Sequence, residues 1–192
     1  ELMPPSMEPW FALFLLPVFG LYILVRGEAA SVVFPIRLVA GLIFVLNFLR
    51  VLMGVNMDPV AGHDLLSLLY ALELYAGYYF VRRHPPLSDF HAPLLYAGHI
   101  SALVAAVQLS SGGFMVSLAW GVLALGCLTV ALRRSDKLLG KSSLLIFSAA
   151  AAKVLLYDLS GAAPLVRIAS LLLLGVTLYA GGWLYRKVDE MS

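Results

Sequence analysis

Four ionisable side chains lie where a bilayer makes charge expensive: Arg50, Lys153, Asp158 and Arg167. Three of them fall in one hairpin, residues 141–187, whose two apolar segments are joined by Gly161-Ala162-Ala163-Pro164. A charged side chain left at the bilayer centre costs about 2.5–3.5 kcal/mol, so such residues are paired, turned into the bundle, or functional. Counted along helices, Arg50, Asp158 and Arg167 fall near the outer surface and Lys153 deeper. Three cations against one anion suit an anionic head group or a carboxylate, held by charge-assisted hydrogen bonds. A plainer reading stays open. Asp158 would pair with Arg167 across the hairpin while Arg50 and Lys153 snorkel upward, which explains Lys153 least well.

A second polar set falls near the midplane: Arg37, Glu73 and His99. Glu73 and His99 lie on consecutive, antiparallel segments, with Arg37 as the other possible partner for the acid. Such groups can titrate near neutral pH and relay a proton or cation. They can equally form a structural clamp worth about 1–2 kcal/mol.

Other chemistry is thin. His91 and His99 are two helical turns apart, too far to share one metal easily, and His84 and His91 flank Pro85-Pro86 as interfacial residues. His63-Asp64 is a weak acid/base pair, with helix capping the simpler role for Asp64. The chain has no glycine-rich phosphate loop, no H-E-x-x-H and no G-x-S-x-G. Cys127 is the lone cysteine, which excludes a disulfide framework and a thiolate cluster. The expectation is no metal, no cofactor, and no assigned catalytic residue.

The elements that must position these groups are membrane helices. The chain is 61% hydrophobic and 12% charged, with a mean hydropathy of +0.93. A soluble domain could not hide that much apolar surface, and the period-2 pattern of a barrel strand is absent. Seven apolar segments can be drawn, at about 9–25, 30–54, 64–83, 92–111, 114–133, 142–159 and 164–186. No basic leader precedes the first and no small-residue cleavage site follows it, so a signal peptide is not expected. A net charge of +2, spread between spans, argues against nucleic acid as a partner.

Lys and Arg alternate across the connections. Arg26, Arg82-Arg83, the group Arg133, Arg134, Lys137 and Lys141, and Arg186-Lys187 mark one side. By the positive-inside rule the N-terminus is outside and the C-terminus cytoplasmic.

An internal repeat is also legible. Leu42-Ile43-Phe44 and Arg50-Val51-Leu52 match Leu145-Ile146-Phe147 and Lys153-Val154-Leu155 at one offset, and residues 74–83 match 178–187. This divides the single transmembrane domain into a repeat at about 9–83, a connector helix at about 92–111, and a second repeat at about 114–187. Parallel repeats of this kind occur in transporters.

Residues 119–187 carry a further pattern. It comprises Ala119-Trp120, Gly126, Arg133-Arg134, Gly140, the run Lys153-Val154-Leu155-Leu156-Tyr157-Asp158-Leu159-Ser160, Arg167-Ile168-Ala169-Ser170, Gly175 and Leu184-Tyr185-Arg186. This stretch resembles the C-terminal end of a bacterial family of multi-spanning membrane proteins, domain of unknown function 2339. The resemblance implies a membrane location and no activity.

The reading is therefore an all-α polytopic protein of the bacterial inner membrane with seven transmembrane helices. The function expected first is transport or binding of a small anionic or amphipathic envelope solute. The alternatives are a membrane-embedded enzyme acting on a lipid or envelope precursor, and a non-catalytic scaffold subunit. Expected partners are membrane lipids, an anionic small molecule or lipid head group, and an oligomer or larger envelope complex.

Overall fold

The computed structural model describes residues 15–24, 30–54, 63–83, 90–110, 112–158 and 163–189. Seven α-helices account for nearly all of them: α1 (Leu15–Leu24), α2 (Ala30–Gly54), α3 (His63–Arg82), α4 (His91–Leu109), α5 (Gly113–Arg134), α6 (Lys137–Lys153) and α7 (Pro164–Asp189). A π-helical turn, Val154–Asp158, continues α6. The described residues contain no strand, which is the expected all-helical class.

Among the described residues, four stretches are long and apolar enough to cross a membrane: His91–Leu109, Gly113–Arg134, Lys137–Tyr157 and Pro164–Trp183. Val33–Leu49 is a shorter apolar stretch within α2. Helix α3 is long enough, but four tyrosines, Glu73, His63 and Asp64 lower its hydropathy. Its polar residues Ser67 and Glu73 are buried, while Leu69 and Leu72 face outward. That inversion is the one a membrane helix needs, because hydrocarbon tolerates leucine and penalises carboxylate.

The chain divides into two compact units, Glu1–Leu109 and Ser110–Ser192. The first is centred on the α3–α4 pair. Tyr70, Leu74, Tyr78 and Val81 recur at helical spacing on α3 and are fully buried. Gly98 of α4 lies against α3, where a Cβ would stand in ordinary van der Waals contact with Leu74 and the Tyr75 ring at 3.5 Å. Tyr78 stacks on His91, with centroids 4.5 Å apart and planes 10° apart. Helix α2 packs more loosely, exposing Phe34, Leu38 and Leu42, and carries Pro35 within its first two turns.

The second unit packs by close backbone approach. Thr177 of α7 lies over Gly121 of α5, and the Phe147 ring of α6 over Gly181 of α7. Between α5 and α6 the sequence suggests a polar loop at 134–141, but only Ser135 and Asp136 lie outside helix. Ser135 takes the left-handed conformation (φ 49°, ψ 46°). Its N–H donates to Leu132 O at 3.3 Å, and that of Asp136 to Ala131 O at 2.8 Å. Asp136 then caps α6, accepting from Leu139 N at 3.1 Å. All four cations assigned to this connection, Arg133, Arg134, Lys137 and Lys141, consequently ride on regular helix and are exposed. The cap signal Asp136 outweighs the low local hydropathy.

Candidate functional site

The deep lysine sits at the junction of regular α6 and its π-helical turn. Lys153 is the last residue of α6, and Val154–Asp158 then follow i→i+5 geometry. Such π turns are rare and frequent at functional sites. The lysine is half-buried, and its Nζ donates to Gly113 O at 2.8 Å and to Ser117 Oγ at 2.9 Å. The Ser117 hydroxyl in turn donates to Gly113 O at 3.3 Å. One ammonium thus ties the C-terminus of α6 to the first turn of α5.

The location is electrostatically unusual. Helix α5 starts behind Gly112, with no side-chain cap, so its first N–H groups carry the positive end of the helix dipole. An ammonium beside them adds charge of the same sign. The corner is consequently electropositive and favours an anion.

Beside it lies a small cavity lined by Phe114, Ser117, Gly121, Val154, Ser170 and Thr177, among others, with room for roughly one water (≈ 10 Å³). Ser170 is 2% exposed, and its Oγ has no hydrogen-bond partner. Thr177, by contrast, donates back to Leu173 O and Leu174 O at 3.0 and 2.9 Å.

The remaining members of the expected outer cluster are placed as follows. Arg167 is exposed on the first turn of α7. Asp158 ends the π turn, and its side chain, like those of Arg50, His63 and Asp64, lies outside the described residues. Two partners of Lys153 went unanticipated, Gly113 and Ser117. The signal that could have found them is a small polar residue one turn into a helix that opens on glycine.

The midplane residues separate differently. His99 is 3% exposed, and its Nδ1 shares a 2.7 Å hydrogen bond with the Tyr75 hydroxyl. Arg37 donates from Nη2 to the Tyr22 hydroxyl at 2.6 Å and lies 5.1 Å from that ring's centroid. Glu73 is buried and stands two positions from Tyr75, so the two project from α3 on nearly opposite sides. Tyr70, one turn from Glu73, donates to Phe44 O on α2 at 3.1 Å. Glu73 thus stands one turn from a side chain that reaches α2, the helix of Arg37. The Tyr75 hydroxyl is thus a working partner of His99.

Among the described residues, no group of three or more His, Cys, Asp or Glu could hold a metal ion, and Cys127 is buried. Compared with known families, the chain matches the one described as "Predicted membrane protein (DUF2339)" over residues 4–188. The match spans both units, beyond the C-terminal third in which the resemblance was legible. No curated protein and no solved structure matches the chain.

Proposed function

The chain belongs to the DUF2339 family of predicted membrane proteins, and from that premise we propose that it binds or moves a small anionic or amphipathic envelope solute at the Lys153 end of its second unit. The observation that carries this reading is the ammonium of Lys153 seated at the uncapped start of α5. Two positive ends meet in one corner, and an anion offsets both. Arg167 and Asp158 complete the site in this reading, with Asp158 orienting the guanidinium. Arg50 is the counterpart of Lys153 in the first unit through the proposed parallel repeat, 9–83 against 114–187. The site faces the periplasm of a bacterial inner membrane, with the N-terminus outside. Arg37, Glu73 and His99 form the proposed relay, with Glu73 paired to Arg37.

One observation favours a second reading. The two hydrogen bonds of Lys153 link helix ends within its own unit, as a scaffold subunit without a ligand would also require.

A short-chain anionic amphiphile, dihexanoylphosphatidic acid, separates the two. At about 100 times its Kd it should stabilise the purified chain by about 2.7 kcal/mol, and zwitterionic dihexanoylphosphatidylcholine should not. Lys153→Met should lose the part of that gain that arises at Lys153, with the helical signal intact. Equal stabilisation of parent and variant would overturn the Lys153 site and leave its hydrogen bonds a structural joint.

A further inference from the structure

Six exposed cations gather at one end of the second unit: Arg133 and Arg134 close α5, Lys137 and Lys141 open α6, and Arg186 and Lys187 lie near the end of α7. Packing brings them to one level. Phe147 touches Gly181, and from that contact Lys141 and Lys187 are each six residues away in the same direction, about 9 Å. Thr177 touches Gly121. Ten residues on from that contact stand Lys187 and Ala131, so Arg133 and Arg134 come within about one further turn of the same plane.

The acids at this end are outnumbered, three against six. Asp136, 2% exposed, accepts from Leu139 N, and the sequence adds Asp189 and Glu190. The placement is also costly to the fold. Lys137 opens the first turn of α6, where the helix dipole disfavours a cation and Asp136 at the N-cap is the acidic residue at hand.

Trp183 marks the depth. It is 48% exposed, one turn short of the cationic plane, and Lys187 Nζ lies 4.1 Å from its ring centroid. A half-exposed tryptophan with a lysine ammonium over its ring fits the headgroup level of a leaflet, where an amphipathic ring is at home.

We propose that this end of the second unit is a docking ledge for anionic phospholipid headgroups, with the basic side chains on the phosphates and Trp183 on the glycerol–acyl boundary. The tight Ser135-Asp136 turn holds the α5 and α6 cations at fixed spacing. The ledge therefore prefers phosphatidylglycerol-type lipid over zwitterionic lipid.

The test uses the full chain, with Trp10 and Trp120 replaced by Phe so that Trp183 alone reports. It is reconstituted in phosphatidylcholine vesicles containing brominated phosphatidylglycerol or brominated phosphatidylcholine. At equal mole fraction the anionic quencher should act several-fold more strongly. Lys137→Gln, Lys141→Gln and Lys187→Gln together should bring the two quenchers close to parity. In the parent, about 1 M salt should collapse it, since the Debye length falls to about 3 Å. Lys153→Met should leave it unchanged, which separates the ledge from the site proposed above. Equal quenching by the two lipids, a preference that survives the triple substitution or high salt, or selective relief by inorganic phosphate would overturn the lipid ledge.

Discussion

The two units solve one problem in different ways. Lipid tails are as apolar as leucine, so helices in a membrane associate through close packing and hydrogen bonds rather than by escaping water. The first unit uses large side chains with polar tips. Tyr75 meets His99, Tyr78 stacks on His91, and Tyr70 reaches the Phe44 carbonyl. The second unit brings backbones together at Gly121 and Gly181 and closes its α5–α6 hairpin with a two-residue turn. Its deep cation Lys153 is bonded to a carbonyl and a serine. The first strategy depends on individual hydroxyls, the second on the absence of side chains.

The strongest way to break this contrast is at the glycines of α7. A Cβ on Gly181 would meet the Phe147 ring at 2.8 Å, and Phe147 is 4% exposed, with little room to swing aside. Gly181→Leu should destabilise the protein by about 3 kcal/mol. Gly182→Leu, with nothing within 4 Å of its Cβ, should change stability by less than about 0.5 kcal/mol. Thermal unfolding in detergent measures both, and equal effects would mean that α7 is not held by backbone approach.

The next test compares hydrogen bonds across the units. Tyr75→Phe takes the hydroxyl from His99 Nδ1 at a buried position and should cost about 2 kcal/mol. Lys153→Met should cost less than about 1 kcal/mol, because the Ser117 hydroxyl still donates to the Gly113 carbonyl. If the lysine variant proves the less stable of the two, the electropositive corner is a structural joint first.

The turn of the second unit sits one step lower. Asp136→Ala removes the acceptor for Leu139 N and should cost about 1 kcal/mol, read by the same unfolding assay. Asp136→Asn should recover most of it, since an amide oxygen caps nearly as well.

Much of this was legible before any coordinates. Helix class, the apolar segments of the second unit and the unusual status of Lys153 follow from composition and period, because hydrocarbon punishes polarity in a way a sequence displays directly. Family membership was legible over residues 119–187 and extends to 4–188. Partner choice was not legible. Glu73 and His99 lie at similar depth, but depth says nothing of azimuth, and Tyr75 occupies the face that meets α4. The α5–α6 connection was drawn too long because a hydropathy reading counts Lys137 and Lys141 as loop, whereas a helix accepts them once Asp136 caps it. The partners of Lys153 were hidden for a similar reason: a backbone carbonyl has no letter in the sequence.

The smallest effect isolates the backbone of that turn from its side chains. Ser135 holds φ at 49° and is the one non-glycine residue at positive φ among the described residues, a conformation costing an L-residue roughly 1–2 kcal/mol. Glycine would relieve that strain but loses about 0.4–1 kcal/mol through the greater freedom of its unfolded chain. The difference leaves Ser135→Gly more stable by about 0.5 kcal/mol. Ser135→Val should move the other way by about 1 kcal/mol or more, because a β-branched side chain is poorly accommodated at positive φ. The ordering Gly above Ser above Val, measured as unfolding midpoints, follows from the left-handed backbone alone. A valine variant as stable as the parent would show that the hairpin closes without the left-handed residue, and the second unit would then owe its α5–α6 geometry to packing at Gly121 and Gly181 rather than to its turn.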